Sequence, residues 1–143
     1  MKKKGFTLVE LMLVVLIVAI LAAVLVPMII GKINKAKWSE ANASAGTVRT
    51  AVRVYYAENP GAAVLLTGVT LDDLTLQDTL GFSASDLTGT YFGPQDYTID
   101  SVNAEGIAII IVTSRGINGG PPNGDSRTLE EDGEFVDSTP AAP

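Results

Sequence analysis

"GFTLVELMLVVLIVAILAAVLVPMIIGK", residues 5–32, is the stretch on which the fold turns. From Leu11 to Ile30 every side chain is apolar, counting Pro27 and the alanines. Twenty such residues in a helix span about 30 Å, the thickness of a bilayer's hydrocarbon core. Lysines stand on both sides of it, Lys2, Lys3 and Lys4 before and Lys32, Lys35 and Lys37 after. One acid, Glu10, sits at its start, where a membrane segment should not carry a carboxylate without a reason.

Three plainer readings compete. An ordinary N-terminal anchor fits the length but gives Glu10 no task. A secretory signal peptide fits the basic start, yet it needs a small-x-small cleavage site, and "AILAAVLVPMIIGKINKAKW" (residues 19–38) offers none. A buried helix of a soluble protein would need other long helices to wrap it, and none is apparent.

The helical pattern continues past Gly31. Ile33, Trp38 or Lys37, Ala41, Ala45, Val48, Val52 and Tyr55 or Tyr56 recur at spacings of three and four, so one face is apolar. Asn59-Pro60-Gly61 is a strong stop. The sequence therefore predicts one long helix, apolar all round over 6–30 and amphipathic over 31–59, with soft points at Pro27 and Gly31. Pro27 removes the bond to the Ala23 carbonyl and should bend or locally melt the helix once it is packed.

Residues 60–143 form a head rich in Gly, Thr, Asp and Ser. "LTGVTLDDLTLQDTLGFSASDLTG" (residues 66–89) suggests a loop with one or two helical turns, capped by Thr70 or Ser85. "DYTIDSV" (96–102) and "IAIIIVTS" (107–114) read as strands around an "NAEG" turn, the second as a central one. "TLEEDGEFV" (128–136) reads as a hairpin turning on Asp-Gly. About three antiparallel strands would then lie across the amphipathic half-helix, burying Val48, Val52 and Tyr55, and "STPAAP" (138–143) would be a disordered tail. The fold class is α+β. The stretch 115–134 has two readings: a solvated connection, or a calcium-stiffened loop with Asp125, Glu130, Glu131 and Asp132 as oxygen ligands.

Composition narrows function further. The chain is 143 residues long, one domain's length, with formal net charge −6, no Cys and no His. The commonest general base, the commonest zinc ligand and any disulfide are thereby removed. No nucleophile–base pair is evident, so an enzyme is disfavoured. Beyond Glu58 only Arg115 and Arg127 oppose the acids, and a head of this charge should repel nucleic acid.

A carboxylate beside an apolar helix start makes sense if it awaits a cation. It could also snorkel to the headgroups with no role at all. Cleavage between Gly5 and Phe6 would expose an α-amine with a reference pKa of about 7.7 to 8.0, cationic at neutral pH. In a helical array the amine of an incoming subunit would neutralise Glu10 of its neighbour, so that assembly relieves both buried charges.

At "KKKG" followed by "FTLVE", the apolar run and Pro27, the sequence resembles the type IV prepilin family, which includes the pseudopilins of type II secretion. The resemblance implies cleavage after Gly5 by an inner-membrane prepilin peptidase, methylation of the Phe6 amine, and a role for Glu10 in subunit registration. It implies a long N-terminal helix packed by its second half on an antiparallel sheet. It also implies a homo-polymer built by an inner-membrane assembly platform, from a precursor held in membrane lipid, into a cell-surface or periplasmic filament. Many pilins close the C-terminal region with a disulfide, which is impossible here, and major pseudopilins often use calcium there. A type IV pilin is the leading reading and a pseudopilin the second. A membrane-tethered binding module is the alternative of another class; it would keep its N-terminus intact.

Overall fold

The computed structural model describes residues 5–62, 66–83 and 85–138; the leader lysines Lys2, Lys3 and Lys4 and most of the expected tail lie outside them. The chain divides into two units, Met1–Lys35 and Ala36–Pro143. Helix α1, Leu8–Glu58, begins in the first and ends in the second. Its end at Glu58 places the Asn59-Pro60-Gly61 stop directly after it, and Gly61 takes the left-handed φ of 92° that a residue with a Cβ would resist.

The first unit is helix from Leu8 on. Its large apolar side chains are at least half exposed almost throughout, from Leu8 at 74% to Ile30 at 54%, so none of them is covered by the unit itself. The segment stays helical through Pro27 and Gly31. It belongs to the one helix in the described residues that is long and apolar enough to cross a membrane, with a mean hydropathy of 3.3 over its best window.

The second unit holds the core. Trp38, Ala41, Ala45, Val48 and Val52 of α1 are buried at alternating spacings of three and four, as the sequence periodicity requires, and Tyr55 is packed at the edge. They meet Tyr97, Ile99, Ala108, Ile110, Val112 and Leu129 of a sheet, together with Leu71, Leu76, Leu80, Leu87 and Phe92 of the connection before it. The sheet has five strands in the order β1-β2-β3-β4-β5, every pair antiparallel. They are β1 (Val69–Thr70), β2 (Tyr97–Val102), β3 (Ala108–Thr113), β4 (Ser126–Leu129) and β5 (Phe135–Asp137). As expected, β3 is central, and it alternates buried Ala108, Ile110 and Val112 with half-exposed neighbours.

Three expectations are corrected. There are five strands rather than about three: β1 is only two residues long, and the hairpin expected over 128–136 supplies two strands, β4 and β5, with Leu129 opposite Phe135. The 115–134 segment is thus not one connection: a single 3-10 turn (Ile117–Gly119) is followed by strand β4 pairing with β3 and β5. Finally, the short helix α2 (Leu74–Thr79) is capped by Asp73, whose Oδ1 accepts from the Thr75 N–H at 2.8 Å. Thr70 instead pairs with Thr98 in the sheet, and Ser85 lies beyond the helix, its hydroxyl 3.2 Å from that of Ser83.

Without a disulfide, hydrogen bonds and ion pairs fasten the C-terminal strands. Arg49 of α1 donates Nε to the Ala108 carbonyl at 2.9 Å and Nη2 to the Leu129 carbonyl at 2.8 Å, and Nη2 also bonds the Glu130 carbonyl. Arg127 pairs with Asp137 at 2.7 Å and lies 4.8 Å over the Trp38 ring. Asp96, fully buried, accepts from the Gly93 N–H at 2.7 Å and pairs with Arg115 at 2.6 Å. Burial pushes the Tyr97 phenol up to about 12.

Candidate functional site

The start of α1 carries the residues singled out by sequence. Gly5 and Phe6 precede the helix and are exposed, Phe6 at 75%. With Leu8 as the first helical residue, Thr7 is the N-cap and Glu10 the third residue of the helix. The Glu10 N–H donates to Thr7 Oγ1 at 3.2 Å, and the Thr7 hydroxyl reaches Glu10 Oε2 at 3.5 Å. The Leu11 N–H returns to the Thr7 carbonyl at 3.2 Å.

This is a variant of the Thr-x-x-Glu capping box, in which the carboxylate turns back toward the cap hydroxyl. A helix start in an apolar setting has amides that water cannot satisfy, and its dipole favours negative charge there. Thr7 and Glu10 answer both needs. Thr7 is the residue that the charge argument alone passes over, although its spacing to Glu10 is legible in "TLVE".

The acids of the distal segment are arranged differently. Asp125 precedes β4, whereas Glu130, Glu131 and Asp132 follow it in the β4–β5 turn, and a four-residue strand separates them by about 13 Å. Glu131 and Asp132 line a cleft of about 230 Å³ with Arg49, Thr50, Arg53, Ile107 and Gly133. Burial pulls the Arg49 guanidinium below its usual range, opposed by the charges of Asp132, Glu130 and Glu131. The turn acids therefore face a cation that the chain already supplies. Among the described residues no group of three or more acids has the arrangement of a metal site.

An all-apolar exposed helix, started by a capped carboxylate and continued by an amphipathic half laid on an antiparallel sheet, defines the pilin-like class. The family model of the prokaryotic N-terminal methylation motif matches residues 1–26. The chain is also similar to the type IV major fimbrial protein FimA of Dichelobacter nodosus, 33% identical over 98 residues, 68% of this chain and 61% of that protein. It thus spans about three-fifths of the length of the curated relative it matches. No solved structure matches it significantly. Both findings support a type IV prepilin family.

Proposed function

We propose that the protein is the structural subunit of an extracytoplasmic helical filament, a type IV pilin. One observation carries this most: the large apolar side chains of the helix from Leu8 to Ile30 are exposed, and the helix opens on the carboxylate of Glu10. Lipid covers the helix in the precursor, in the bacterial inner membrane, and identical helices cover it in the polymer. Burial of some twenty large apolar residues against copies of the chain is the driving term, and Glu10 supplies registration by pairing with the Phe6 amine of a neighbour.

In this reading a prepilin peptidase cuts after Gly5, the same machinery methylates Phe6, and an inner-membrane platform assembles the subunits into a surface filament. Pro27 and Gly31 mark where the helix bends or melts on packing. The similarity to a type IV fimbrial protein favours a pilin over a type II secretion pseudopilin. A head with so few cations gives no surface for nucleic acid.

Intact-mass analysis of membrane-extracted protein is the test. The expected mass is that of a chain beginning at methylated Phe6. A chain retaining Lys2 to Gly5 in the membrane pool and in sheared surface material would refute the proposal in favour of the tethered module.

A further inference from the structure

We infer, resting on the filament reading above, that the turn carrying Ile117 is a knob that docks in the cleft beside the C-terminal end of α1 in a second copy of the chain. The contact adds a head-to-head link to the packing of the apolar helices.

The cleft holds about 310 Å³ and is lined by Ala51, Val54, Tyr55 and Glu58 of α1 and by Thr79, Leu80 and Gly81. Leu80 is buried, Ala51 and Tyr55 are half-buried, and Val54 is 55% exposed. A hollow with an exposed valine on its wall gains by admitting an apolar side chain from outside. Glu58 belongs to a last helical turn that carries no basic residue, so side chain and helix dipole both make this end of α1 negative.

The knob lies at the other end of the head. Ile117 is 39% exposed and opens the 3-10 turn Ile117–Gly119. Asn118, left-handed at φ 52°, donates Nδ2 to the Thr90 carbonyl at 3.0 Å, and Lys37 Nζ bonds the Gly119 carbonyl. The Gly120 N–H returns to the Ile117 carbonyl at 2.8 Å. A turn tied down in this way presents Ile117 with little freedom left to lose on docking. Val54 stands about 25 Å beyond Lys37 along α1, which separates cleft from knob. Lys37 also sets a positive charge beside the knob, opposite in sign to Glu58 beside the cleft.

The other exposed large apolar side chains of the described head fit the cleft less well. Leu74 starts the short helix whose last residue, Thr79, lines the cleft itself, so two copies joined through it would close on each other. Val136 pairs opposite Thr128, between Arg127 at Trp38 and Leu129 at Arg49, and reaches neither end. Knob and cleft are different surfaces, so their contact is heterologous: each copy gives its knob to one neighbour and its cleft to another. Parallel copies offset by about 25 Å along the helix bring the two level and leave the series open.

The chain has no Cys, so introduced cysteines report this contact without background. The test is Ile117→Cys/Val54→Cys in sheared filaments, treated with an oxidant or with a short bismaleimide. A disulfide needs Cα atoms within about 7 Å, and the bismaleimide covers a longer reach. The expected result is a ladder of dimers, trimers and higher species from the double variant and from neither single one. Filaments that give no ladder with either reagent would overturn the contact, as would dimers from Val54→Cys alone, which would mean that two clefts face each other. Should the double variant not polymerise, Ile117→Asp decides: filament yield should fall roughly tenfold or more while the denaturation curve read from Trp38 stays in place. An unchanged yield, or a loss traced to an unfolded head, would overturn the assignment. Absence of filaments from the unaltered chain would instead overturn the polymer reading on which this one rests.

Discussion

Arg49 offers the sharpest test of how the head is held without a disulfide. Its guanidinium reaches three backbone carbonyls on β3 and at the end of β4, tying α1 to the two strands that complete the sheet. Hydrogen bonds from a charged donor contribute about 1.5–3 kcal/mol each, and carbonyls left unpaired in a half-buried site are partly rehydrated. Taking about 1 kcal/mol per carbonyl after rehydration, Arg49→Ala should lower head stability by about 3 kcal/mol. In a unit of about a hundred residues that corresponds to a fall of roughly 12–20 °C in Tm. The Coulomb contribution is separable: Glu131 and Asp132 are exposed, and exposed pairs contribute only about 0–1 kcal/mol. Neutralising them as Glu131→Gln/Asp132→Asn should therefore cost little, and Arg49→Lys, able to serve one carbonyl at a time, should fall between. Trp38 is the chain's one tryptophan and is 4% exposed in the head core, so its fluorescence in a denaturant series reports this unit selectively. A loss below about 0.5 kcal/mol for Arg49→Ala, or a larger loss on neutralising the acids, would refute the carbonyl clamp.

Two further outcomes follow from the head. Gly106→Ala should destabilise it by about 2 kcal/mol or more, since φ is +77° and an added Cβ would stand 2.5 Å from the Tyr56 ring; unchanged denaturation would contradict that contact. The Tyr97 phenol is raised above its ordinary value of 10, so its contribution to stability is complete below pH 10 and lost as pH rises toward about 12. Absorbance titration of phenolate alongside Trp38 fluorescence should show one tyrosine ionising last, with stability declining across that window, and ionisation of all four near pH 10 in the folded head would be the contrary result.

Long-period features of the fold are legible in the sequence because they repeat. The buried positions 38, 41, 45, 48 and 52, the stop after Glu58 and the unbroken apolar strand β3 each follow from a pattern several residues long. The Asp132-Gly133 turn is legible for a local reason, since Gly133 takes a φ of 92°. Short or polar elements are not. The two residues of β1 cannot show a period, and the first two residues of β4, Ser126 and Arg127, which precede the hairpin legible over 128–136, owe their place to pairing with Thr113 and Val112 of β3. Asp73 caps α2 where Thr70 was equally plausible by type, because the choice depends on where β1 ends. Arg49 looks like any cation on a solvated helix face until the carbonyls of distant strands arrive beside it. At the site, the charge of Glu10 points to a partner, whereas the spacing of Thr7 to Glu10, legible in the sequence, becomes a cap once the helix starts at Leu8.

The central claim is that Glu10 is an assembly contact, and the ratio of sheared filament to processed membrane-pool subunit in Glu10→Ala and Glu10→Gln tests it most directly. Folding should be unaffected because the head core contains no residue before Trp38, and removal of a charge eases insertion. Polymerisation should fail, because the neighbour's amine is left buried and unpaired at a cost of several kcal/mol per contact. Glu10→Asp, with a shorter reach, should give an intermediate yield. Filament lost with processing intact is the predicted result; normal filament yield from Glu10→Ala, with processing unchanged, would contradict it.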